Sequence, residues 1–333
     1  MSNQTFPAPL VCSKSAKVQA FLVGLLVLVG SVAECQVVSS TQNPLQLALL
    51  HWEKTNHTAQ IGVGGGPAGL AFDGASMWVA NSFSNTVSRI SVNDGTTLPT
   101  LSIGGEPYGL AYDGANLWIT SLLSQTVTKV QASNGATLGS FTVGVDPSSA
   151  AFDGSNIWVV NQGSNSVTKL QASDGTNLGT FPVGKLPQNV AFDGANMWVT
   201  NYFSNTVTKL NASNGTTLGT FAVGVSPNGI AFDGANIWVA NEGSNSVTKL
   251  RASDGALLGT FAAGDQPFGL AYDGANIWVT NYGANSLTKL RASNGANLGT
   301  FPAGNGPSVV AFDGASIWVA NFNNGNTSTV SKF

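Results

Sequence analysis

The residues that could carry acid–base or metal chemistry are unevenly distributed along this chain of 333 residues. Both histidines (His51, His57) and both cysteines (Cys12, Cys35) precede residue 58, and residues 58–333 contain neither type. Proton transfer near neutral pH needs a group of suitable pKa, and a cysteine-ligated metal needs thiolates. In the larger part of the chain, that chemistry therefore falls to carboxylates, acting as an acid–base pair or as oxygen ligands.

Half of the 14 carboxylates in residues 58–333 recur once in every repeat. An aspartate followed by glycine recurs seven times at a step of 40 residues, at Asp73, Asp113, Asp153, Asp193, Asp233, Asp273 and Asp313. Because Asp-Gly favours tight hairpins, we interpret these aspartates as turn residues. Four carboxylates interrupt the periodicity, and they are weak candidates for a cation site on separate repeats: Glu106, Asp146, Glu242 and Asp265.

The repeat itself predicts the elements that position these side chains. A tryptophan follows each Asp-Gly at the same distance, at Trp78, Trp118, Trp158, Trp198, Trp238, Trp278 and Trp318. Residues 267–306 contain four strand-length apolar stretches separated by turn residues: Gly269–Tyr272, Ile277–Thr280, Leu287–Leu290 and Leu298–Ala303. Each repeat is therefore predicted to be a four-stranded antiparallel meander, with its tryptophan packed against a neighbouring repeat.

We predict an all-β fold, a seven-bladed β-propeller with repeats starting at 67, 107, 147, 187, 227, 267 and 307. The strands are apolar on both faces, so each sheet needs a neighbour on both sides. A linear solenoid would also need polar caps, which the sequence lacks. The last repeat lacks its fourth strand, and Thr58–Gly64 matches the missing one. An N-terminal strand should therefore complete the last blade and close the ring of residues 58–333.

The residues before the propeller indicate export. Lys14 and Lys17 precede an apolar run at 20–33 that suits a signal peptide better than a membrane span. We predict a signal peptide at 1–33, cleaved before Glu34 or Gln36, a linker at 34–42, and a short helix with its connection at 43–57. Lipid attachment at Cys35 and an uncleaved anchor are the alternatives. The mature protein should be periplasmic or extracellular, monomeric and not inserted in a membrane.

The repeat also resembles a known family. "GLAYDGANIWVTN", "SLTKL" and "LGTFPAG" at 269–303 are similar to the YVTN-type β-propeller repeat of YncE-like and surface-layer proteins, with Trp in place of the first Tyr. The streptogramin B lyases resemble the chain in architecture. That family uses a histidine as its acid–base group beside acidic residues and a divalent cation, and no histidine in the repeats can inherit this role.

Comparison of the seven copies separates constant from variable positions. The copies differ in the connections between blades and in the turns after the second strand, which a meander places at one end of the propeller. This variable end should display nine apolar or aromatic residues as candidate ligand-binding residues: Phe83, Tyr108, Leu122, Leu123, Tyr202, Phe203, Phe268, Tyr282 and Phe322.

Two sets of polar residues recur at the same position in the repeats, and we assign both to the structure of the blades and not to ligand binding. One cation per third strand (Arg89, Lys129, Lys169, Lys209, Lys249, Lys289, Lys332) is expected to be solvated or paired with acid. The asparagines that end the second strands (Asn81, Asn161, Asn201, Asn241, Asn281, Asn321) are expected to cap the following turn.

The function that follows is a non-enzymatic binding scaffold for a protein, peptide or glycan, without a cofactor. A formal charge of −3 and the absence of a basic run argue against nucleic acid as partner. A propeller lyase or hydrolase is the first alternative, and a structural envelope or surface-layer component is the second.

Overall fold

The computed structural model describes residues 59–322 and 328–333. The predicted signal peptide, linker and short helix lie outside the described residues, as does most of the insertion in the seventh repeat. In the described part, no helix has the length and apolar character needed to cross a membrane.

The described chain forms 28 strands in seven antiparallel sheets of four, which confirms the predicted propeller. The first strands of the blades are β2 (Pro67–Phe72), β6 (Pro107–Tyr112), β10 (Pro147–Phe152), β14 (Pro187–Phe192), β18 (Pro227–Phe232), β22 (Pro267–Tyr272) and β26 (Pro307–Phe312). The second strands are β3 (Ser76–Asn81), β7 (Asn116–Ser121), β11 (Asn156–Asn161), β15 (Asn196–Asn201), β19 (Asn236–Asn241), β23 (Asn276–Asn281) and β27 (Ile317–Asn321).

The third strands are β4 (Thr86–Ser91), β8 (Thr126–Gln131), β12 (Ser166–Gln171), β16 (Thr206–Asn211), β20 (Ser246–Arg251), β24 (Ser286–Arg291) and β28 (Thr329–Lys332). The fourth strands are β5 (Thr97–Ser102), β9 (Thr137–Thr142), β13 (Asn177–Pro182), β17 (Thr217–Ala222), β21 (Leu257–Ala262), β25 (Asn297–Pro302) and, for the last blade, β1 (Ala59–Gly62). Short 3-10 turns span Tyr202–Ser204 and Glu242–Ser244.

The ring closes as predicted. β1 pairs antiparallel with β28, Ile61 lying opposite Val330, so the seventh sheet has the order β1-β28-β27-β26. The first strands of neighbouring blades contact each other all the way round, and β26 contacts β2. They approach so closely that a Cβ added to Gly69 or Gly109 would collide with a carbonyl oxygen of the next blade. The first strands therefore surround the propeller axis.

The core lies between the blades. Trp118 of the second blade, for example, packs with Ile157, Val159 and Leu170 of the third, all fully buried. The same arrangement repeats between the other blades, and the seven tryptophans are 0–9% exposed. Their predicted role in blade packing is confirmed.

The aspartates of the Asp-Gly turns do more than form the hairpin. Asp153 Oδ1 accepts hydrogen bonds from the backbone of Ser155 (2.9 Å) and Asn156 (2.7 Å), while its Oδ2 accepts one from Trp158 Nε1 (2.8 Å). The pattern recurs in all seven blades. It explains why the aspartate and tryptophan keep a fixed spacing, since one carboxylate satisfies both the turn and a buried indole.

The expected solvation of the third-strand cations was wrong for the buried Lys129, Lys169, Lys209 and Lys249, whereas the expected pairing with acid holds for Arg89 and Lys289. Each cation lies over its blade's tryptophan, with the charge 4.6–5.2 Å from the ring centroid. Buried Lys169 also donates to two carbonyls of the next blade, Ala212 O (2.7 Å) and Ser213 O (3.0 Å). Lys129, Lys209 and Lys249 repeat the contact, and Lys332 donates to Val92 O across the closure. The remaining two cations form ion pairs within their own blades, Arg89 with Asp73 and Lys289 with Asp273.

The asparagines that end the second strands do not cap the following turn. Asn161 Oδ1 accepts from the backbone N–H of Gly144 (3.0 Å), in the connection from the preceding blade. Its Nδ2 donates to Ser166 Oγ (3.1 Å) and Thr168 Oγ1 (2.9 Å) on the third strand. Asn201, Asn241 and Asn281 do the same. In these four blades the asparagine therefore ties the connection to the blade that follows it, whereas Oδ1 of Asn81 and of Asn321 is buried without a hydrogen-bond partner among the described residues.

Candidate functional site

The connections between blades and the turns after the second strands lie at the same end of the propeller, as predicted. Backbone hydrogen bonds join them in every blade: Leu122 N donates to Glu106 O (3.0 Å), and Tyr202 N to Leu186 O (3.0 Å). An asparagine in the turn of the preceding blade also binds the connection: Asn205 Oδ1, for example, accepts a hydrogen bond from Ser226 N (2.8 Å). We call this end, made of the connections and turns, the variable face.

The structure places the nine predicted residues on this face in two environments. Phe83, Leu123 and Phe203 project into solvent, with 60%, 65% and 67% of their surface exposed. The others are half-buried: Tyr108, Leu122, Tyr202, Phe268, Tyr282 and Phe322. Ring contacts join neighbours, with centroids 5.1 Å apart for Phe83 and Phe322 and 5.5 Å apart for Tyr202 and Phe203. The nine thus do not converge on one point.

A small cavity lies on the propeller axis and brings two of these aromatic residues together, with a third in contact with one of them. Its volume is about 140 Å³, and Tyr108 and Phe268 line it from the second and sixth blades. Tyr282 contacts Phe268, with ring centroids 6.1 Å apart. In a ring of seven, the fifth and sixth blades stand opposite the second, so Tyr108 faces Phe268 across the axis.

One side of the cavity wall carries polar side chains. Gln188, Asn189 and Asn228 line it from the fourth and fifth blades. They form a chain of amides: Asn189 Nδ2 donates to Asn228 Oδ1 (3.1 Å), and Asn228 Nδ2 donates to Glu242 Oε2 (3.2 Å). Gln188 Oε1 in turn accepts from Gln162 Nε2 (2.6 Å). Aromatic rings and amides therefore line one cavity, and one of these amides, Asn228, holds the Glu242 carboxylate beside it.

The Tyr108 phenol responds to this environment. Burial raises its pKa above the ordinary value of 10.0, and the negative charge of Glu242, with Tyr282, raises it further. The phenol is therefore neutral at physiological pH and offers its O–H as a hydrogen-bond donor.

The four carboxylates predicted as weak candidates for a cation site are not brought together. Glu242 accepts from Asn228 of the axial cavity, whereas Asp265 is exposed and accepts from Asn245 Nδ2 (3.1 Å). Among residues 59–322 and 328–333, no three His, Cys, Asp or Glu side chains are close enough to share a metal ion. The reason is that Glu106, Asp146 and Asp265 lie in the connections before three different blades, while Glu242 lies in the turn after a second strand.

The amides of the cavity wall, Gln188, Asn189 and Asn228, are not among the ligand-binding residues predicted from the sequence. A signal was present, because the second residue of each first strand differs in most copies: Ala68, Tyr108, Ser148, Gln188, Asn228, Phe268 and Ser308. These positions follow the proline that begins each first strand, and only Tyr108 and Phe268 among them are predicted from the sequence as candidate ligand-binding residues.

Comparisons with known proteins locate the fold. No protein-family model matches the chain, and no curated protein matches it. Similar solved structures include hydrazine synthase of Kuenenia stuttgartiensis (TM-score 0.71, 18% identity, covering 83% of this chain and 97% of that one). A streptogramin B lyase is also similar (TM-score 0.71, 17% identity, covering 83% of this chain and 96% of that one). So is the virginiamycin B lyase of Staphylococcus aureus (TM-score 0.70, 19% identity, covering 83% of this chain and 99% of that one). The resemblance in architecture to the streptogramin B lyases is thereby confirmed for the fold.

Proposed function

We propose that this protein is an exported, non-enzymatic propeller of the YVTN type that binds a protein, peptide or glycan on its variable face. The observation that supports this most strongly is the exposure of Phe83, Leu123 and Phe203 in its turns. Exposed aromatic and large apolar residues beside half-buried ones are typical of binding surfaces.

A second set of exposed apolar residues is less suited to specific recognition. The rim leucines, on the fourth strands, are exposed to a similar degree, with values of 52% at Leu138, 46% at Leu178 and 51% at Leu218. They recur at the same place in successive repeats, whereas the residues of the variable face differ between copies. Specific recognition of one ligand requires contact residues that differ from blade to blade.

The two sets provide a matched experiment. A glycan array and a peptide display library are probed with the protein, with the triple variant Phe83→Ser, Leu123→Ser, Phe203→Ser, and with Leu138→Ser, Leu178→Ser, Leu218→Ser. Because one anchor residue contributes about 2 kcal/mol, the first triple should lower affinity at least about 100-fold, and the second should not change it. Equal effects of the two triples, or no ligand in either panel, would contradict the proposal.

Export is tested separately. Sequencing of the mature N-terminus should begin near Glu34 or Gln36 on protein recovered outside the cytoplasm. An intact Met1 on cytoplasmic protein would show that export is wrong.

A propeller lyase or hydrolase is the alternative, and one observation favours it: the neutral Tyr108 phenol lines the axial cavity and Glu242 is bonded to Asn228 of its wall, so two groups that can transfer protons lie near each other. Incubation with virginiamycin B, followed by chromatography, tests this. Turnover that Glu242→Gln abolishes would replace the binding proposal with an enzymatic one.

A further inference from the structure

The variable face carries an excess of negative charge. Its connections and turns contain four acidic residues, Glu106, Asp146, Glu242 and Asp265, and one basic residue, Lys185. Among them, Glu242 is the one whose carboxylate is held by an amide of the axial cavity. A cationic group is therefore attracted to this end of the propeller, and the charge nearest the axis is that of Glu242.

The Glu242 carboxylate has no cationic partner in the described part of the chain. The ion pairs there join Arg89 to Asp73, Arg251 to Asp254, and Lys289 to Asp273. Glu242 is half-buried and accepts one hydrogen bond, from the neutral amide of Asn228. A partly buried carboxylate without a countercharge is complementary to a cation that enters from solvent.

Aromatic rings surround the same place. Tyr108 lies across the axis from Phe268, and Tyr282 lies beside Phe268. The faces of aromatic rings attract cations, and ammonium groups are recognised by several rings together with a carboxylate. The Tyr108 hydroxyl forms no hydrogen bond with any described residue, so it is free to accept one from an N–H.

The cavity size restricts the ligand further. A volume of about 140 Å³ is smaller than the roughly 300–1,000 Å³ of pockets that enclose a whole drug-sized ligand. It admits a narrow head group on a flexible stem, with the remainder of the ligand lying on the face outside. An alkylammonium has this shape.

We propose that the mouth of the axial cavity binds an alkylammonium group, supplied by a lysine side chain of the ligand or by a free amine. Glu242 provides the countercharge, Tyr108, Phe268 and Tyr282 provide the aromatic walls, and Asn228 holds the carboxylate in place. This inference rests on the proposed function, because it names the chemistry that the variable face recognises at its centre.

Calorimetric titration with small probes tests the proposal. The probes are Nα-acetyl-lysine methylamide and its Nε-acetylated form, and choline and its neutral isostere 3,3-dimethylbutan-1-ol. Each charged probe should bind at least tenfold more tightly than its neutral counterpart. The tighter of the two charged probes distinguishes a primary from a quaternary ammonium. Equal binding of charged and neutral probes would overturn the proposal.

Variants locate the site. Glu242→Gln retains an acceptor for Asn228 and should lower the affinity for the charged probes at least tenfold, and Tyr282→Leu, which removes an aromatic wall, should lower it severalfold. Asp265→Asn removes an exposed carboxylate from the same face and is the matched control, expected to bind as the parent does. Unchanged affinity in both Glu242→Gln and Tyr282→Leu would overturn the proposal, and so would an equal loss in the control.

The outcome is distinguishable from failure of the proposed function. If the peptide or glycan screen yields a ligand that depends on Phe83, Leu123 and Phe203 while the ammonium probes do not bind, the binding function stands and the ammonium inference is wrong. If the probes bind at Glu242 and the screen yields no ligand, the ammonium site is supported and the proposed binding of a protein, peptide or glycan on the variable face is wrong.

Discussion

At the scale of single residues, the lysine of each third strand joins two blades. Lys209 Nζ lies 5.0 Å from the ring centroid of Trp198 in its own blade and donates to Ala252 O (2.7 Å) in the next. The ammonium thus replaces its lost hydration with an aromatic face and carbonyl oxygens, which is how a charged side chain is accommodated in a blade interface.

We predict that Lys209→Met destabilises the protein by about 2–3 kcal/mol, because it removes a charge-assisted hydrogen bond and a cation–π contact and leaves the carbonyls unpaired. Urea unfolding measures the change. Lys185→Met, at an exposed lysine of the variable face, is the control and should stay within about 0.5 kcal/mol. Equal stability of the two variants would show that the lysine contact is incidental.

The aspartates of the Asp-Gly turns make stability depend on pH. Burial alone would raise the pKa of Asp153, but hydrogen bonds from Trp158, Asn156 and Ser155 outweigh it, and the pKa falls below its ordinary value of 3.8. The pKa values of Asp113, Asp233, Asp273 and Asp313 are lowered in the same way. Because the folded state holds these protons less tightly than the unfolded state, the stabilisation is present above pH 3.8 and is lost as pH falls through the folded pKa.

We therefore predict that the melting temperature falls as the pH is lowered from about 5 to 2.5. Asp153→Asn should lower it at neutral pH and reduce the dependence on acid. Asp174→Asn is the comparison and should have the smaller effect: hydrogen bonds from Thr176 lower the pKa of Asp174 too, but it lies in an exposed hairpin where three other repeats have asparagine at 134, 214 and 294. A melting temperature that is unchanged or rises towards pH 2.5 would contradict the assignment.

At the scale of elements, the strands of one blade could be predicted closely. The stretches at Ile277–Thr280 and Leu287–Leu290 fall within the strands Asn276–Asn281 and Ser286–Arg291. The apolar pattern and the Asp-Gly turns act over a few residues, so they are visible in sequence.

Contacts between blades could not be predicted in this way. Lys169 meets Ala212, 43 residues further on, and Asn161 meets Gly144 in the preceding connection. In a repeat protein, a residue recurs at a fixed spacing whether it is buried between blades or exposed to solvent. The regular spacing of the Lys and Asn residues therefore does not show which of the two environments they occupy. The amides around the axis were missed for the same reason, since only the closed ring brings the first strands together.

The closing strand provides a prediction at this scale. Ile61 of β1 packs with Trp318 and Val330, whereas its neighbour Gln60 is exposed. Ile61→Asn should cost about 2 kcal/mol by removing apolar contacts and placing an amide among them, and Gln60→Asn should cost little. Both are measured by urea unfolding. Indistinguishable stabilities would mean that β1 does not hold the seventh blade.

At the scale of the whole molecule, the closed ring separates a constant end from a variable one. The Asp-Gly hairpins keep the same hydrogen bonds in all seven blades. At the other end, residues that differ between copies are held on a common backbone frame, so substitution there alters the surface with little effect on the fold. This division supports a binding function at the variable face.

Site-directed blocking of each end tests this central claim most directly. Residues 58–333 contain no cysteine, so in full-length protein with Cys12 and Cys35 replaced by serine, a single new cysteine carries one polyethylene glycol chain. Ser124→Cys places the chain at an exposed turn of the variable face, and Asn134→Cys at an exposed hairpin of the opposite end, both in the second blade. In the glycan and peptide screens, the chain at residue 124 should abolish binding and the chain at residue 134 should leave it unchanged. Binding that persists with residue 124 blocked and disappears with residue 134 blocked would place the function at the other end of the propeller.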